Sequence, residues 1–107
     1  MFAAIYQSYI KPGREDEYQR LWKQIASYFI EHKGAIGSSL HRCENGLWVA
    51  YSRWPSKEVR DAAWPGDQAP SEQLPKEIRQ AILDLKNCLD PHRKIPEIPM
   101  EIVEDLL

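Results

Sequence analysis

Long apolar runs are missing from this sequence. Nowhere do its 107 residues approach the roughly 20 consecutive apolar positions that a membrane span requires. Cysteine is scarce, with only Cys43 and Cys88. Two thiols make no disulfide scaffold, so a reduced, cytoplasmic setting is the simplest expectation, although one bridge between them is compatible with the sequence. The start, MFAAIYQSYIKPG, lacks the basic segment of a secretion signal and runs straight into strand-like alternation. No run of Lys and Arg builds a basic face, and the net charge is −2 with a pI near 5.9. Neither nucleic acid nor a membrane is therefore an expected partner.

Signatures of established chemistries are also missing. The sequence has no glycine-rich phosphate loop, no G-x-S-x-G elbow and no H-E-x-x-H. Its acidic residues are dispersed, without a pair that stands out as a carboxylate dyad. His41-x-Cys43 and Cys88-x3-His92 have ligand-like spacings, but Pro91 interrupts the second and nothing in the sequence brings the two together. No metal and no cofactor are expected.

What is there reads as one ordinary globular domain, residues 1–107, with 43% apolar and 28% charged residues. Residues 3–11, AAIYQSYIK, predict a strand stopped by Pro12-Gly13. A helix follows from about residue 14, with Glu15, Asp16 and Glu17 in its first turn. Its apolar face carries Tyr18, Leu21, Trp22, Ile25 and Phe29, and Gly34 ends it. Two strands flank Asn45-Gly46 within residues 35–54, and Pro55 stops the second. Ser56 caps a short helix over 57–64. Residues 65–70 are loop.

A longer helix then presents Leu74, Ile78, Ala81, Ile82, Leu85 and Cys88 or Leu89 on one face, with Pro75 in its first turn. Residues 90–99 form an extended connector, and Ile102-Val103 favour a final strand over 100–107. The order is β-α-β-β-α-β, an α+β ferredoxin-like fold with an extended second helical region.

Asn-Gly between strands suggests a two-residue type I′ turn. That turn would pair Arg42 with Val49, His41 with Ala50, Leu40 with Tyr51 and Gly37 with Trp54. One face of the hairpin would then hold Gly37, Ser39, His41, Cys43, Trp48, Ala50, Ser52 and Trp54, beneath the helices. Leu40, Val49 and Tyr51, with Ile5 and Tyr9 of the first strand, would form a bulky uncovered face. Such a patch calls for a partner, so a homodimer packed through the sheet is expected.

YIKPGREDEYQRLW, GSSLHRCENGLWVAYSRWPSKEVRDAA and EIVEDLL together resemble the antibiotic biosynthesis monooxygenase (ABM) superfamily. The resemblance implies a dimeric α/β barrel with a pocket between sheet and helices. There, some members oxidise polycyclic or quinol substrates without metal or flavin, while others degrade haem. The haem-degrading branch has an Asn in its first strand, a Trp ending its third and a His one helix later. Trp54 matches the tryptophan, but Tyr6 and Trp64 occupy the other two positions. Haem degradation is not expected.

Two readings remain. In one, the chain is a cofactor-independent monooxygenase acting on an electron-rich aromatic or quinol. His41 would be the catalytic base, Trp54 and Trp64 stacking walls, and Tyr6 and Tyr28 hydrogen-bonding partners of the substrate. In the other, it is a non-enzymatic dimeric ligand-binding or structural module whose hollow is filled by its own side chains. Trp48, beside the turn, is expected at an edge or interface.

Overall fold

A computed structural model describes residues 1–66 and 68–107. Strand β1 (Phe2–Tyr9) is followed by helix α1 (Glu15–His32), then strands β2 (Gly37–Arg42) and β3 (Leu47–Trp54). Helices α2 (Lys57–Ala63) and α3 (Lys76–Asn87) lead to the short strand β4 (Ile98–Glu101). The sheet is antiparallel, in the order β2-β3-β1-β4. Sequentially adjacent β2 and β3 pair directly, and β1 is central, as the ferredoxin-like order requires. The loop expected over 65–70 includes Asp67, which lies outside the described residues.

The helices form where their apolar periodicity places them. Tyr18, Leu21, Ile25 and Phe29 of α1 are buried, with Trp22 at the margin of the core. Arg14 stands at the N-cap, and its guanidinium forks onto Glu17 at 2.9 and 3.0 Å while donating to the Asn87 carbonyl. On α3, Ile78, Ala81, Ile82 and Leu85 face inward, flanked by buried Leu74 and Cys88. Ser56 caps α2 by accepting from the Val59 amide at 3.2 Å. Both thiols are free, Cys43 exposed and Cys88 buried.

The hairpin departs from the expected turn. Cys43 and Leu47 close it, with the Cys43 amide donating to the Leu47 carbonyl at 2.7 Å. The Gly46 amide donates to the Cys43 carbonyl at 3.1 Å. Gly46 has φ +86°, whereas Asn45 does not have positive φ. This is a type I turn followed by a left-handed glycine, a three-residue loop rather than a two-residue type I′ turn. The extra loop residue slips the pairing by one: Leu40 opposes Ala50, His41 opposes Val49 and Gly37 opposes Arg53.

A slip of one moves every β2 side chain to the other face. Ser38, Leu40 and Arg42 share the helix side with Trp48, Ala50, Ser52 and Trp54, while Gly37, Ser39 and His41 join Val49 and Tyr51 on the open side. The faces of β1 and β3 are as expected, with Ala4 and Tyr6 opposite Ser52 and Ala50. Leu40 is thus lost from the bulky face, which keeps Ile5, Tyr9, Val49 and Tyr51.

Two further expectations are corrected. Trp48 is core, 6% exposed, with its indole edge-on to Tyr18 at 5.5 Å. The last strand spans Ile98–Glu101 rather than 100–107, pairing with β1 from Phe2↔Glu101 to Ile5↔Ile98. Because β4 is an edge strand, Pro99 is tolerated within it, so the strand begins inside the proline-rich connector. Residues 102–107 run on without regular structure, tied back by the Ile102 amide on the Met1 carbonyl and by an ion pair between Arg53 and Asp105.

The turn can be tested directly. In a type I′ turn, glycine at position 45 would relieve strain. Here Asn45→Gly removes the Leu47 amide's bond to Asn45 Oδ1 and loosens a residue with ordinary φ. We expect a loss of about 1 kcal/mol in urea denaturation. A stabilised variant would restore the two-residue turn.

Candidate functional site

The helix side of the sheet is small at its centre, with Ala4, Ala50 and Ser52. Large rings from three elements fill the space above these short side chains. Trp54, at the end of β3, is 2% exposed, and its Nε1–H donates to the Ser52 hydroxyl at 3.1 Å. Phe29 comes down from α1 with its centroid 5.9 Å from the Trp54 ring. Trp64, at the C-cap of α2, stands edge-on to Phe29 at 6.2 Å and to Tyr6 at 6.0 Å. Such edge-to-face spacings are favourable aromatic geometry.

One end of this box is polar. Arg60 of α2 donates from Nη1 to the Tyr6 hydroxyl at 3.0 Å and forks onto Glu97 at 2.9 and 3.0 Å. Its Nε donates to Asp61 at 2.9 Å, and its guanidinium lies over the Phe2 ring at 4.9 Å. The Arg60 side chain is only 6% exposed. Burial works against its charge, but bonds to Asp61, Tyr6 and Glu97 more than offset this, and its pKa is raised. Burial also pushes the Tyr6 phenol above its ordinary value, against the opposing pull of Arg60. A buried cation beside a phenol, framed by rings, can hold an aromatic anion or its oxygen-bearing end.

Trp64 is fixed from the other side as well. Lys86 of α3 places its Nζ 5.8 Å from the Trp64 centroid and donates to the Gly66 and Gln68 carbonyls at 2.7 and 3.1 Å. The segment after α2 is thereby clamped to α3.

Of the residues singled out from sequence, Tyr6, Trp54 and Trp64 converge here. Tyr28 lies at the margin, with its ring 4.6 Å from His32 and 6.4 Å from Phe29. His41 is elsewhere: the register slip turns it to the open face, where it is exposed and shares a 2.8 Å hydrogen bond with Ser39 Oγ. It cannot serve as a base beneath the helices. Among the described residues no three His, Cys, Asp or Glu side chains gather as metal ligands would.

Arg60 and Glu97 escape sequence reading. Arg60 could have been found four positions before Trp64, on the same helical face. Glu97 sits in an irregular connector that carries no periodic signal. Two hollows among the described residues lie outside the box. One is beside Trp22 and Trp48, and the other lies between Tyr51, Arg53 and the C-terminal tail.

Residues 1–64 match the sequence profile of the family described as antibiotic biosynthesis monooxygenase. The match runs from β1 to Trp64. No curated protein matches the chain in sequence. SnoaB, a cofactor-independent oxygenase from Streptomyces nogalater solved as a point mutant, superposes with a TM-score of 0.72 at 11% identity, over 98% of this chain and 95% of its own. Rv0793 from Mycobacterium tuberculosis gives 0.71 at 12% identity over 99% and 98%. Another structure, of an antibiotic biosynthesis monooxygenase, gives 0.70 at 15% identity over 97% and 100%. At these identities the likeness is one of fold.

The buried phenols make a pH test. Tyr18, edge-on to Trp48, is pushed up to about 12 by burial, and Tyr6 is raised in the same direction. On unfolding, both return to about 10. The stability they contribute is complete below pH ~10 and is lost as the pH rises through their folded values. Urea denaturation across that window should show stability falling by up to about 1.4 kcal/mol per pH unit for Tyr18. Tyr18→Phe should flatten the fall; an identical slope in the variant would contradict the burial of that hydroxyl.

Proposed function

The chain belongs to the antibiotic biosynthesis monooxygenase family, and from that premise we propose that it is a homodimeric, cytoplasmic, cofactor-independent monooxygenase of an electron-rich phenol or quinol. The observation that carries this reading is the Tyr6–Arg60 pair, a phenol and a buried guanidinium 3.0 Å apart at the end of an aromatic box. A substrate ring would take the place of the Trp64 indole, between Phe29, Trp54 and Tyr6. Its oxygen would lie against Arg60 and Tyr6. Tyr28, at the margin of the box, would flank the ring's outer edge.

The chemistry asks little of the protein. A bound phenol loses its proton more readily beside a guanidinium, because the cation favours the phenolate. Glu97, held on that same guanidinium, is the base at hand. The phenolate is rich enough in electrons to reduce O2 itself. Where the ring carbon para to the oxygen carries a hydrogen, that carbon ends as a quinone carbonyl, one atom of O2 staying there. The other leaves as water with the ring and phenolic hydrogens, so phenol and O2 give quinone and water. The chain binds, orients, deprotonates and excludes water.

The partner-seeking face supports the dimer. Ile5, Tyr9, Val49 and Tyr51 point away from the helices along the two central strands and are half-buried in the single chain, and an apolar sheet face without helices on it is ordinarily packed against a partner. In sedimentation the chain should run at twice its 12.5 kDa mass at micromolar concentration. A species at the single-chain mass would contradict the face-to-face pairing.

A second reading rests on the packing. Trp54 and Phe29 are 2% and 6% exposed, and a box sealed by its own rings would be a structural core with no turnover. Oxygen uptake across a panel of quinols and phenols separates the two. The oxygenase reading expects, for phenols with a free para position, uptake matched one-for-one by quinone with no hydrogen peroxide, falling about tenfold in kcat/KM for Tyr6→Phe. Uptake no faster than autoxidation for every member, in a protein that stays folded and dimeric, would leave the sealed module.

A further inference from the structure

We propose that the groove between α1 and the β2–β3 hairpin is a second binding site, for a planar aromatic carboxylate. It is a hollow of about 340 Å3 lined by Gln19, Trp22 and Lys23 of α1 and by Leu40, Arg42 and Trp48 of the hairpin. It opens at the hairpin end of β3, whereas Trp54 and the aromatic box stand at the other end.

The groove follows from the three-residue loop. That loop turns Leu40 and Arg42 to the helix side of β2, the edge strand. Helix α1 packs chiefly on α3, so the outer flank of the sheet is not roofed. Trp22 and Leu40 are left half-buried, with an apolar floor between them and the indole of Trp48 beneath. Exposed Lys23, Arg42 and Gln19 surround it.

Charge selects the ligand. The lining contains two cations and no carboxylate, in a chain whose net charge is −2. Neither Lys23 nor Arg42 enters an ion pair among the described residues. Arg42 is not loose, since its guanidinium carbon lies 5.3 Å from the Trp48 centroid. Stacking of this kind orders the planar fork, which then presents paired N–H donors suited to a carboxylate. A small anion would leave Trp22 and Leu40 wet, and a neutral ring would leave both cations unused. An aromatic carboxylate satisfies both, its ring on Trp22 and Leu40 and its oxygens accepting from Arg42 and Lys23. The volume is at the lower end for small-molecule sites and fits one or two fused rings.

The test uses the full chain and 2-naphthoate as the probe. Each of the four indole N–H resonances is assigned by single Trp→Phe substitution. On titration the Trp22 and Trp48 signals should shift and saturate at or below millimolar probe, while those of Trp54 and Trp64 stay in place. Arg42→Gln should weaken binding about tenfold, as should Lys23→Gln, the loss expected for one charge-assisted hydrogen bond. Both side chains are exposed, so the variants should keep the parent fold, with the Trp54 and Trp64 indole signals unmoved and only Trp48, which loses the guanidinium over its ring in Arg42→Gln, displaced before probe is added. Naphthalenemethanol and inorganic phosphate should each bind at least about tenfold more weakly than the probe. Several results would overturn the proposal. These are absence of saturable shifts, shifts led by Trp54 or Trp64, equal binding of the neutral ring or of phosphate, or unchanged affinity in both variants. Shifts led by Trp54 or Trp64 would place the aromatic in the box of the proposed oxygenase instead, so the two readings fail separately.

Discussion

Arg60 is the side chain around which the interior is organised. Its guanidinium is buried, and a charge in that position is tolerated only when its donors are satisfied. Tyr6 of β1, Asp61 of α2 and Glu97 of the connector to β4 supply the acceptors. Each partner lies in a different element, so one side chain ties together the central strand, the short helix and the path of the last strand. The same contacts give the aromatic box its polar end. Structure and candidate chemistry therefore rest on one cation, and the rings that frame it are also the rings that close the core.

The hairpin loop has the wider geometric consequence. One added residue between Cys43 and Leu47 decides which half of β2 faces the helices. It removes His41 from the interior and delivers Leu40 and Arg42 to the flank of the helix layer. The open face loses one large side chain but keeps those of the two central strands. The two candidate ligand regions, one at each end of β3, differ accordingly. In the box at Trp54 the cation is engaged by Tyr6, Asp61 and Glu97, whereas the groove at Trp48 is open and its cations enter no ion pair among the described residues.

Much of this was legible in the sequence because it is local. The face of α1 through Tyr18, Leu21, Ile25 and Phe29 follows from 3.6-residue spacing, as does the α3 face through Ile78, Ala81, Ile82 and Leu85. The convergence of Tyr6, Trp54 and Trp64 followed from strand alternation and the family resemblance. The turn was not legible, because Asn-Gly suits both a type I′ turn and the last two positions of a type I turn with a left-handed glycine. The dipeptide is the same, and the register differs by one. The partners of Arg60 were hidden for another reason: Tyr6 lies 54 positions away in sequence and Glu97 37, and no periodicity links them.

The order of strands and helices, the apolar faces and the family were determined by the sequence alone, since each depends on neighbours within a few residues or on a pattern repeated along one element. The tertiary structure decided which face of β2 meets the helices and which charges are buried together. Those outcomes depend on how closely separate elements approach in space, a competition between packing and hydrogen bonding that no single segment contains.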